Sequence, residues 1–124
     1  RAMAEGAAKG KTRAERERHG FEGFFRFTAE HPALYRVIRQ AEFASPAALH
    51  RHYERIAAGY VEALREAMDA GEIEEGDPEV LAYALMGIGE LIGMRWILWN
   101  EAGEIPEHVV DELMRFIQRG LGAR

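Results

Sequence analysis

Residues 45–71 read SPAALHRHYERIAAGYVEALREAMDAG, and this stretch decides the fold. Ser45 is an N-cap residue type, and Pro46 follows at the first helical position, where a missing N–H costs nothing. Behind them Leu49, Tyr53, Ile56, Tyr60, Leu64 and Ala67 recur every three or four residues and predict the buried stripe. Arg51, Glu54, Arg55, Glu62 and Arg65 fall on the opposite side and predict the wet face. Gly71 supplies a natural C-terminal stop. The stretch is one long amphipathic helix from Pro46 to about Ala70.

The same grammar extends outward in both directions. Thr12 with Glu15 forms a capping box, and a helix then runs to about Glu30 with Phe21, Phe24, Phe25 and Phe27 on its apolar side. Gly20 and Gly23 inside it mark a bend or a close approach. His31-Pro32 ends that helix and starts a short one carrying Leu34, Tyr35, Val37, Ile38 and Ala41. Asp77-Pro78 repeats the cap-plus-proline signal and opens a second long helix, to about Asn100. A last helix starts near Pro106 and ends at Gly120 or Gly122. Residues 1–11 read as the end of a preceding helix and a loop, and residues 12–124 as one domain. No stretch shows sustained strand alternation, so the fold class is all-α: a bundle of five main helices plus the tail of an N-terminal helix.

Composition narrows the chemistry. Apolar residues at 48% and charged residues at 30% are the balance of a folded domain, not of a disordered chain. Cysteine is absent, which excludes disulfides, thiolate catalysis and cysteine-ligated metals. A formal charge of −5 leaves no overall basic surface for nucleic acid. Ser45, the only serine, sits where a cap belongs, which speaks against a serine hydrolase. No glutamate has a histidine three residues later, the spacing of di-metal helical bundles, so neither metal nor cofactor is expected. The sequence thus reads as a binding module and not as an enzyme.

The Asp77 helix is apolar nearly all round from Val80 to Trp99, with Glu90 and Arg95 its only charges. It is about long enough to span a membrane. Two charges at mid-depth and four amphipathic companions argue instead for a buried helix, with one face on the core and another on a partner chain. Glu90 has two readings: an ion pair with an arginine of another helix, such as Arg36 or Arg39, or a polar anchor in a pocket. His52, beside the buried stripe, is either a boundary histidine or a ligand contact. The rings of Phe24, Phe25, Phe27, Tyr35, Tyr53, Tyr60 and Tyr83 fill a core or surround a cavity. Their abundance, with Gly20, Gly23 and Gly87 leaving space, favours a cavity of the small-molecule kind.

In helix order, and in the stretches FFRFTAEHPALYRVIRQAEF (residues 24–43) and ALMGIGELIGMRWILW (residues 84–99), the chain resembles the C-terminal effector-binding and dimerisation domain of TetR-family transcriptional regulators. It carries no counterpart of that family's helix-turn-helix head, and Arg1 in place of an initiator Met suggests a fragment. The resemblance implies a cytoplasmic repressor domain that senses a mostly apolar small molecule (a fatty acid, an acyl-CoA or an aromatic compound). Operator DNA would be bound only through the missing head. The alternative is a structural dimerisation module with no ligand. The expected ligand residues are Phe24, Tyr35, Ile38, His52, Tyr53, Ile56, Tyr83, Gly87 and Glu90. The expected partner is a second copy, docked through Gly89, Gly93, Val110, Leu113, Met114, Ile117 and Leu121.

Overall fold

A computed structural model describes residues 12–99 and 104–123. The expected tail of a preceding helix (residues 1–10) and the expected helix end at Asn100 lie outside the described residues. The fold class is as expected: five α-helices and, among the described residues, no strand. They are α1 (Arg13–Glu30), α2 (Pro32–Ala44), α3 (Pro46–Asp69), α4 (Pro78–Gly93) and α5 (Glu107–Gly120). A π-helical turn, Met94–Leu98, continues α4.

The boundaries follow the local chemistry. The Thr12 side chain accepts from the Glu15 N–H at 3.1 Å, satisfying one of the orphan donors of α1. Asp77 Oδ1 does the same for Glu79 and Val80 at the start of α4. Gly71 ends the α3 region with φ +72°, a left-handed conformation that glycine adopts at no steric cost. Ser45 departs from expectation: it stands at the N-cap of α3, but its side chain makes no capping bond. Pro46 alone sets that helix start.

Helix α4 packs along α3 and against α1, and α1 also meets the π-turn and α5. The core is one cluster. Phe21 and Phe25 of α1 meet Leu64, Ala67 and Met68 of α3, Ala82 and Leu85 of α4, and Ile97 of the π-turn. Ile73, from the loop after α3, completes the floor.

Two expectations about faces are corrected here. The buried positions of α3 are Ala57, Leu64, Ala67 and Met68, while Ile56 is 39% exposed. Leu64 and Ala67 are buried as expected, and Leu49, Tyr53 and Tyr60 are partly buried; Ile56 is the one expected stripe position that faces out, with Ala57 beside it buried instead. On α5, Val110, Leu113, Met114 and Ile117, with Leu121 just after it, are buried inside this chain. They belong to the same core cluster as Phe21 and Phe25 of α1 and do not offer a surface to a partner. Phe116, on the same helix, is 66% exposed. Gly89 and Gly93 are filled likewise. A Cβ on Gly89 would stand 3.1 Å from the Phe21 ring, and one on Gly93 3.7 Å from the Phe24 ring. Their missing side chains seat α1 rings of the same chain.

Helix α4 and its π-turn, Pro78–Leu98, form a span long and apolar enough by length and composition to cross a membrane. Its burial is one-sided. Ala82, Leu85, Gly89, Gly93 and Ile97 face inward, while Val80, Tyr83, Leu91 and Trp99 are exposed.

Candidate functional site

The apolar run of α4 carries one carboxylate, and a carboxylate leaving water needs donors. Three arrive from two other helices. Tyr35 of α2 donates to Glu90 Oε1 at 3.0 Å, and Tyr53 of α3 donates to the same atom at 2.6 Å. Arg39, one helical turn beyond Tyr35 on α2, brings its Nη1 to 3.7 Å from that oxygen. The spacing of Tyr35 and Arg39 by four residues puts both on the face of α2 that meets α4. Glu90 thus has both roles considered for it: an ion pair with Arg39 and a polar wall of a cavity.

The hydroxyls are fixed in their donor role. The Tyr35 proton is held well above the ordinary tyrosine range, first by burial and then by the Glu90 charge beside it. Tyr53 is raised in the same direction, by burial and then by its hydrogen bond to Glu90. Loss of either proton would place a phenolate against a carboxylate in a partly buried site.

Against this triad lies a cavity of about 320 Å³ between α3 and α4. From α3 it is lined by His50, Tyr53 and Glu54, and from α4 by Tyr83, Met86, Gly87 and Glu90. His50, Glu54, Tyr83 and Gly87 are exposed, so the cavity opens to solvent on their side. Gly87 has open space where a Cβ would be, which keeps that wall clear. A shallower groove of about 500 Å³ continues along the same seam, sharing Glu54 and Tyr83 with the cavity.

Of the nine expected ligand residues, Tyr53, Tyr83, Gly87 and Glu90 line the cavity, and Tyr35 reaches it through Glu90. Four do not line it. Phe24 packs on Gly89 and Gly93 against the core. Ile38 is half-buried on α2 away from the cavity walls. His52 sets its ring edge-on to Tyr53, with centroids 5.4 Å apart, and Ile56 is on the outer side of α3. The α3 wall is the set 50, 53, 54, so His50 stands where His52 was expected. His50 lies three residues before Tyr53 and shares its face of α3, whereas His52, two residues from His50, does not share that of His50. Glu54 and Met86 were also missed. Glu54 lies four residues from His50 on a face that reads as wet, and nothing in the sequence marks that face as concave.

Phe21, Phe24 and Phe25 close on one another instead of surrounding space, and Phe27, expected on the same apolar side, is 39% exposed and stacks on His31. Phe21 and Phe25 centroids lie 6.0 Å apart, and Phe24 and Phe25 5.8 Å apart. Among the described residues, no group of three or more His, Asp or Glu side chains gathers at metal-binding distance. No protein-family model and no curated protein matches the chain.

Proposed function

We propose that this chain is a ligand-binding and dimerisation module of a TetR-like transcriptional regulator, a sensor and not an enzyme. One observation carries the reading. A cavity abuts a carboxylate that ties three helices together, so an occupant of the cavity touches the joint between them. A ligand that prefers one arrangement of α2, α3 and α4 shifts the population of that arrangement by its differential affinity. The shift would travel through α1, which packs on α4 and its π-turn, toward the N-terminal side where a DNA-binding head would attach.

The dimensions narrow the expected ligand. Small-molecule pockets span roughly 300–1,000 Å³, and this one sits at the lower end. It suits a compact aromatic or short-chain compound.

The expected partner remains a second copy, through a corrected surface. On the same two C-terminal helices, the large apolar side chains left exposed are Val80, Tyr83 and Leu91 of α4 and Phe116 of α5. Val80 and Leu91 are more than half exposed, and covering them would relieve the one-sided burial of an otherwise apolar helix.

The rival reading is a dimerisation module without a ligand. It is favoured by the closed phenylalanine core of α1, which leaves no internal chamber among those rings. Native mass spectrometry of the purified chain separates the two. The sensor reading expects a dimer carrying a non-covalent small-molecule adduct that is lost in Gly87→Trp. A dimer that takes up no compound from a fragment mixture supports the rival.

A further inference from the structure

We propose that the cavity beside Glu90 takes a protonated amine carried on a compact apolar body. This rests on the sensor reading above and specifies the chemistry of its ligand.

The walls argue for a cation. Glu54 and Glu90 both line the cavity, and no lysine or arginine does. All three partners of Glu90 bind through Oε1. Among the described residues, Oε2 has neither a hydrogen bond nor an ion pair, and it is not a buried unsatisfied atom. One oxygen is thus clamped while the other stays open, which gives a pre-oriented acceptor for an N–H donor. Both tyrosine protons are already committed to Oε1, so neither hydroxyl is a ready donor to an anionic head group.

Charge counting points the same way. Arg39 offsets part of the Glu90 charge from the α2 side. Glu54 makes no ion pair among the described residues, so the cavity keeps an uncompensated negative charge. The adjoining groove adds Glu62, Glu66, Asp69 and Glu79 against the single Arg65. A seam of this sign attracts cations and repels carboxylates during approach as well as in the bound state. Tyr53 and Tyr83 line the cavity, and aromatic rings favour an ammonium group; Met86 adds an adaptable apolar wall for the body. An anionic lipid would meet carboxylates where it needs donors, which removes fatty acids from the expected ligand list.

The test compares two probes of one shape and opposite charge, 4-phenylbutylamine and 4-phenylbutanoate, by isothermal titration calorimetry on the full chain. The amine is expected to bind at least tenfold more tightly than the carboxylate, and more weakly as salt is raised. Glu90→Gln and Glu54→Gln are each expected to weaken the amine at least fivefold. Glu54 is exposed, so its variant keeps the test valid if Glu90→Gln fails to fold. Equal or tighter binding of the carboxylate, blocked by Gly87→Trp, would overturn the amine proposal and leave the pocket reading intact. Amine binding unaffected by either glutamine variant would overturn it too. Binding of neither probe, with no fragment of any charge competing for the cavity, would remove both.

Discussion

The Tyr53 hydroxyl and the Glu90 carboxylate meet across the α3–α4 seam at 2.6 Å, inside the stretch of α4 that is otherwise apolar. A hydrogen bond to a charged acceptor contributes about 1.5–3 kcal/mol when well shielded, and less where solvent competes. Glu90 keeps partial exposure, so Tyr53→Phe should destabilise the domain by about 1–2 kcal/mol. Tyr35→Phe, which removes the longer 3.0 Å bond, should cost less. Urea unfolding of the two variants checks the order. Equal midpoints for both variants and the unmodified chain would mean that the network does not stabilise the fold.

Gly87 and Gly89, two positions apart on α4, should respond to alanine with opposite signs. Gly87 has nothing within contact range of a new Cβ, so Gly87→Ala gains helix propensity, about 1 kcal/mol. Gly89→Ala places a methyl 3.1 Å from the Phe21 ring, and Phe21 is only 2% exposed and has no room to retreat. Overpacking of this kind costs about 1–3 kcal/mol and outweighs the same propensity gain. Thermal denaturation should show a raised midpoint for the first and a lowered one for the second.

Alkaline pH should unfold the domain through its tyrosines. Tyr35, Tyr53 and Tyr60 are each raised above the ordinary value of 10.0, with burial the leading cause for all three. A raised folded pKa means that the native state holds protons the unfolded chain releases. The associated stability is complete below pH 10.0 and declines as pH rises beyond it. Denaturant titrations at successive pH values should show a flat profile up to that point and a fall above it. The fall should be shallower in Tyr60→Phe, which removes the most deeply buried of the three hydroxyls.

Charges on the two C-terminal helices should separate folding from association. Ile117 is 3% exposed in the core of this chain, so Ile117→Asp should unfold the domain, at a cost of several kcal/mol. Leu91 is 59% exposed, so Leu91→Arg should keep the helical circular dichroism spectrum and reduce dimerisation. Sedimentation velocity at micromolar concentration measures the second effect. A Leu91→Arg dimer as tight as the unmodified one would move the interface elsewhere.

The punctuation of this fold is legible in the sequence because each signal acts within one turn. Thr12 with Glu15, Asp77 with Pro78, and Gly71 set helix ends that the structure reproduces. Glu90 was legible because a charge in an apolar run must find partners, and Arg39 was among the partners anticipated. The outward turn of Ile56 was not legible. Ile56 outweighs Ala57 in any hydrophobic pattern, yet the buried position is the small Ala57, which lets a neighbouring helix approach. The same ambiguity misplaced Gly89 and Gly93. A missing side chain predicts a close neighbour without saying whether it comes from another chain or, as here, from Phe21 and Phe24 of the same one. Packing of α5 on α1 also turned an apparent surplus of apolar residues into ordinary core.

The cavity between α3 and α4 is proposed to bind a small molecule at Glu90. The most direct test is a two-dimensional NMR fragment screen of the isotope-labelled chain, using a mixture of amines, carboxylates and neutral aromatics. Binding at the cavity should give saturable shifts clustered at Tyr53, Tyr83, Gly87 and Glu90, and their loss in Gly87→Trp with the rest of the spectrum retained. Shifts scattered over the surface, or shifts that survive Gly87→Trp unchanged, would contradict it.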